Sequence, residues 1–167
     1  MRTFASSCFL ALSICAAGPV FAQAAPATAP AATTQPASVM SQEARDAVGI
    51  VDAFTALLTA GQLEAARQFL TPDAVIVANG QTLGTRDRYI DGPARGDAAA
   101  LRTVDRDILH RNAWAGPGLA YVVTEKRLRA PGATTGPSEV VIETMLVRKT
   151  ESGWKIAHVH WSGRHAS

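Results

Sequence analysis

The chain has 167 residues, 47% hydrophobic and 18% charged, with a formal net charge of +2. Its 16 basic and 14 acidic residues are interspersed, which excludes the basic face of a nucleic-acid binder and the polybasic patch of a membrane-surface protein. The only cysteines, Cys8 and Cys15, lie close to the N-terminus.

Met1-Arg2 supplies one positive charge and Phe9 to Ala17 a short apolar run, broken by Gly18-Pro19. Ala22-Gln23-Ala24 then has the small-x-small pattern of a signal-peptidase site, and the run is too short to span a bilayer. Residues 1–24 are therefore expected to be a cleaved signal peptide, with cleavage after Ala22 as the close alternative. The expected location is periplasmic or secreted, with no membrane association after cleavage. Both cysteines fall inside the signal, so the mature protein has no disulfide, Cys-ligated metal or thiol nucleophile. Residues 25–40, rich in Ala, Pro and Thr, read as a disordered linker. Residues 41–164 suit one domain with one core.

Ser41 is a plausible N-cap. Ala47, Val51, Phe54 and Leu58 follow at helical spacing, and Gly61 is the stop. A second helix is expected over Leu63–Leu70, ended by Thr71-Pro72, and a strand over Asp73–Ala78. Asn79-Gly80 turns the chain, Thr85–Asp91 reads as a short helix and Gly92–Ala99 as a loop. Four strand candidates then follow in succession: Leu101–Trp114, Leu119–Ala130, Glu139–Lys149 and Trp154–Ser162. Turns at Ala115–Gly118 and Glu151–Gly153 and a loop over Pro131–Pro137 separate them. Helices followed by an antiparallel meander predict an α+β domain, a curved sheet wrapped around N-terminal helices.

That order resembles the nuclear transport factor 2-like superfamily, the cone-shaped fold of SnoaL-like proteins. Two stretches carry the likeness, Phe54 to Val77 (FTALLTAGQLEAARQFLTPDAVIV) and Glu143 to Ser162 (ETMLVRKTESGWKIAHVHWS). The second is also similar to the closing strand pair of the calcium/calmodulin-dependent protein kinase II association domain. The resemblance implies a pocket between sheet and helices. It also allows a residue-by-residue comparison with ketosteroid isomerases: their tyrosine position falls on Phe54, their base on Ala78, and only the third position, Glu143, is acidic. A steroid-type proton transfer has no base by that route. The pocket arginines of the association domain fall on Met145 and Val123, which argues against inheriting its anion site.

In a strand alternate side chains share a face, which groups Ile156, His158, His160 and Ser162. By the family likeness this face is the inner one, and the expected pocket adds Tyr121, Val123, Glu125, Glu143 and Met145, with Phe54, Ala78 and His110. Trp161 is expected to point outward. His158, His160 and Glu143 are the catalytic candidates, as a His–Glu acid–base pair suited to a lyase or isomerase. Two histidines at i, i+2 could also bind a metal, but no third ligand stands at a diagnostic spacing, so neither metal nor cofactor is expected. The plainest reading is a polar network that satisfies itself across the sheet. The expected protein is thus an exported small-molecule binder, a homodimer through the outer sheet face. An enzyme and a purely associative module are the alternatives.

Overall fold

Ser41 caps the first helix: its side chain accepts a hydrogen bond from the Ala44 amide at 3.2 Å, satisfying one free donor of the first turn. Helix α1 (Gln42–Ala60) buries Ala44, Ala47, Val51, Phe54 and Leu58 along one stripe. It ends at Gly61, whose φ of 74° lets its amide return to the Leu57 and Leu58 carbonyls. The computed structural model describes residues 40–166. The expected signal, 1–24, and the linker up to residue 39 lie outside them.

Helix α2 (Leu63–Arg67) is shorter than expected, because strand β1 (Leu70–Ala78) already begins at Leu70. The strand runs through Pro72 rather than starting after it. Proline has no amide to donate, and the pairing skips from Leu70 to Val75 there. Asn79 and Gly80 (φ 48° and 78°) form a tight turn into a strand absent from the sequence reading, β2 (Gln81–Thr85). Helix α3 (Arg86–Asp91) matches expectation. The segment expected as a loop contains helix α4 (Ala94–Leu101) instead. Its alanines, the best helix formers, outweigh Gly96. Arg67 bonds Glu64 at 2.9 Å and Asp87 at 2.7 Å, and also pairs with Asp91, fastening α2 to α3.

The remaining strands are β3 (Asp105–Gly116), β4 (Leu119–Arg129), β5 (Ser138–Thr150) and β6 (Gly153–Ala166). With β1 and β2 they form a six-stranded sheet in the order β2-β1-β6-β5-β4-β3, in which only β1 and β6 run parallel. This is the expected α+β architecture, a curved sheet with helices on one face. Helix α1 contacts β3, β4 and β6, and its Val51, Phe54 and Leu58 join Val122, Met145 and Val159 in the core. Arg111 of β3 reinforces the contact with two hydrogen bonds to Asp52 of α1, at 3.0 and 2.8 Å.

Two details of register decide which residues face the helices. The loop 130–137 pairs Arg129 with Ser138, so odd-numbered residues of β4 stand opposite even-numbered residues of β5. On β6, Val147 pairs with Ile156 but Leu146 with His158. Ala157 is therefore an extra residue, a bulge that inverts the alternation beyond it. Inward on β6 are Ile156, Val159 and Trp161.

Candidate functional site

A row of side chains crosses the inner face at one end of the sheet, one from each of five strands. Glu143 on β5 stands opposite Trp161 on β6, and Trp161 beside Ala78 on β1. Lys126 on β4 is the diagonal neighbour of Glu143, and Arg106 on β3 the diagonal neighbour of Lys126. Diagonal neighbours across a sheet are within reach of long side chains. All five line a cavity of about 200 Å³, whose other wall includes Thr55 and Leu58 of α1 and Asp97 and Leu101 of α4. Leu128 and Val141 extend its apolar lining, and Asn79, an exposed residue, stands at its edge.

Glu143 is 3% exposed and Lys126 is 8% exposed. Carrying charge at that depth is costly unless the charges are paired and hydrogen-bonded. Both conditions are met: Lys126 Nζ donates to Glu143 Oε1 at 2.8 Å, and Trp161 Nε1 donates to Oε2 at 2.8 Å. Each carboxylate oxygen of Glu143 therefore already has a partner. Arg106 Nη1 donates to Thr59 Oγ1, and among the described residues Arg106 makes no ion pair. Tyr89 is fully buried, its ring 6.0 Å from that of Trp161, and its hydroxyl donates to Asp97 Oδ2 at 2.8 Å. Burial first, then the Asp97 charge, pushes the Tyr89 phenol well above its ordinary range. It is a neutral donor at physiological pH.

The expected site residues divide. Glu143 and Ala78 line the cavity. Phe54 and Met145 are inward but wholly buried in the core. His158, His160 and Ser162 lie on the outer face, beside Leu146, Thr144 and Ile142. The expectation placed them inside because strict alternation from Ile156 ignores the Ala157 bulge. Trp161, expected outside, is inside for the same reason. Tyr121, Val123 and Glu125 are also on the outer face, opposite Leu146, Thr144 and Ile142, because the loop 130–137 fixes the other parity. His110 is exposed beside Glu125.

No His–Glu pair therefore forms with Glu143, whose partners come from Lys126 and Trp161. His158 Nδ1 lies 2.9 Å from the Val75 carbonyl and donates to it, while its ring is 6.5 Å from that of His160. Among the described residues no cluster of three or more His, Cys, Asp or Glu is arranged to hold a metal. Lys126, Arg106, Asp97 and Trp161 were missed as site residues. The signal that finds them is the β4–β5 register, which sets a lone lysine diagonally from a carboxylate on a strand face otherwise made of Ala120, Val122, Thr124 and Leu128.

Comparison with known proteins places this fold in a wider group. A structure of a candidate ketosteroid isomerase from Shewanella frigidimarina superposes with a TM-score of 0.63 at 24% identity, over 70% of this chain and 94% of that one. A nuclear transport factor 2-like protein of unknown function from Pseudomonas putida gives 0.62 at 13% identity, over 74% and 89%. A candidate dehydratase of the same family from Streptomyces avermitilis gives 0.58 at 18%, over 74% and 97%. At these identities the likeness concerns the fold. No curated protein matches. The model of the SnoaL-like domain matches residues 48–165, a span that runs from the first helix through the closing strand and takes in the whole charged row. The chain belongs to the SnoaL-like domain family.

Proposed function

We propose that this SnoaL-like domain is an exported receptor for a small molecule, held in the cavity around Lys126 and Glu143. The observation that carries the reading is the buried Lys126–Glu143–Trp161 cluster in the wall of an otherwise mostly apolar hollow. An apolar pocket with a few convergent polar groups is the usual form of a ligand site. The test is to soak the protein in a mixed metabolite pool and identify by mass spectrometry what stays bound after washing. Retention of one compound class supports the reading; retention of nothing at high protein concentration refutes it. Export is checked by N-terminal sequencing of the periplasmic fraction, which should begin after Ala24 or Ala22.

The same reading includes a homodimer through the outer sheet face. Its support is exposed apolar surface on three separate strands: Val75, Ile142 and Trp114, the last 53% exposed. Trp114 stacks on Tyr121 at 6.1 Å and 23°. Light scattering after size exclusion tests it, and a monomer at high micromolar concentration rules it out.

A lyase or isomerase is the second reading, favoured by Asp97. Its carboxylate enters the cavity with one oxygen committed to Tyr89, leaving the other to accept a substrate proton. Ala78, at the position of the steroid isomerase base, brings only a methyl group to the cavity wall. Deuterium uptake from D2O by the retained compound, abolished by Asp97→Asn, is the expected result for an enzyme. Its absence leaves the receptor reading alone.

A further inference from the structure

We infer that the cavity's ligand is a small organic acid whose carboxylate is held between Lys126 and Arg106; this rests on the receptor reading above. The reasoning is a count of unused hydrogen-bonding groups. An ammonium group has three N–H donors, and Lys126 commits one to Glu143. A guanidinium has five, and Arg106 commits one to Thr59. Asn79 accepts from the Gly163 amide through Oδ1, and its NH2 group has no partner among the described residues.

Acceptors are scarcer. Both Glu143 oxygens are occupied, and Asp97 has one oxygen taken by Tyr89. The cavity therefore presents a surplus of donors, two of them cationic, above an apolar body formed by Leu58, Leu101, Leu128 and Val141. Thr55 Oγ1, in the same lining, is buried and has no hydrogen-bond partner among the described residues. Unmade bonds of buried groups are costly. A carboxylate brings about four acceptor sites and no donor, and charge-assisted bonds are the strong ones. A ligand cation would meet Lys126 and Arg106 and find only the second Asp97 oxygen uncommitted, while a pure hydrocarbon would leave the donors unpaired.

Size narrows the class. The cavity, about 200 Å³, suits an acid about the size of hexanoate or benzoate. That volume is smaller than the usual pocket for a drug-sized ligand.

The experiment is calorimetric titration of the full chain with hexanoate and benzoate, and with hexanamide and benzamide of the same shape. The acids are expected to bind at least tenfold more tightly than the amides, and more weakly as salt is raised. Arg106→Gln should reduce acid binding at least tenfold and amide binding much less, so that the acid-to-amide preference collapses. Arg106→Lys, which keeps the charge and guards against a folding defect, should retain most of the preference. If amides bind as tightly as acids, or Arg106→Gln leaves their ratio unchanged, the carboxylate assignment is overturned and the receptor reading stands. If neither series binds and the metabolite soak is also empty, both fall. If neither series binds but the soak retains a neutral or cationic compound, the carboxylate assignment alone falls.

Discussion

Replacing Lys126 by Met tests whether the buried ion pair is a fixed element of the inner face. The two side chains are 11% and 5% exposed and 2.8 Å apart, so removing the cation strands a carboxylate with only the Trp161 N–H. Breaking a buried pair from one side costs about 3–5 kcal/mol, and the surviving indole bond keeps the loss near the lower end, about 3 kcal/mol. For a domain of this size that lowers Tm by roughly 10 °C. Glu143→Leu should cost a similar amount by leaving Lys126 unpaired. The double variant Lys126→Met/Glu143→Leu strands no charge, only the Trp161 N–H, worth about 1–3 kcal/mol. It should be more stable than either single variant, with a coupling energy of at least about 2 kcal/mol. Urea unfolding followed by tryptophan fluorescence and circular dichroism measures all four proteins, and equal m-values license the comparison. A loss under about 1 kcal/mol for Lys126→Met, or coupling below about 0.5 kcal/mol, would refute the reasoning and mean that water solvates the pair.

Three further outcomes are expected. Because the Tyr89 pKa is raised above its ordinary 10.0, its stabilising contribution is complete below pH 10 and lost above it. Stability should fall by up to about 1.4 kcal/mol per pH unit there, and Tyr89→Phe should remove that part of the slope in urea midpoints; an identical slope in the variant would show that the phenol is not shielded. Glu64 is held below its usual 4.5 by Arg67, and Asp87 below its usual 3.8 by Arg86 and then Arg67. Depressed carboxyls stabilise above those values and stop doing so as pH falls through their folded ones, so the gap between wild type and Arg67→Ala should close below about pH 4.5; a constant gap from pH 7 to 2.5 speaks against it. Gly61→Ala forces a side chain into a φ of 74° and sets its Cβ 2.7 Å from Arg102 Nη1, at a cost of about 1–2 kcal/mol, whereas Gly61→Asn should cost less; equal stabilities of the two variants by thermal melting would count against the cap geometry.

The fold was legible where local chemistry and burial agree. The α1 stripe from Ala47 to Leu58, its Ser41 cap and its Gly61 stop needed no tertiary information, because a 3.6-residue period and two end signals define a helix. The meander was legible from its turns, Pro117-Gly118 above all. Helix α4 and strand β2 were not. Gly92, Pro93 and Gly96 imitate a loop, and β2 is an edge strand held by pairing with β1 alone, a long-range fact with little local signature.

The site was harder to read because β4 and β5 carry apolar residues on both faces. Tyr121 and Val123 look as fit for a core as Val122 and Thr124, so the hydrophobic pattern does not choose between two registers that differ by one residue. The loop 130–137 makes that choice, and it turns Lys126 inward with Thr124 and Val122. On β6 the pattern is misleading in a sharper way. Ile156 is buried, and plain alternation then carries His158 and His160 inward with it. One inserted residue, Ala157, exchanges the histidines for Val159 and Trp161. The chemical consequence exceeds a swap of side chains. A histidine beside Glu143 could accept and release a proton near neutral pH, whereas an indole N–H only donates. With Trp161 on one oxygen and Lys126 on the other, Glu143 is an anchor that aims the lysine rather than a carrier of protons.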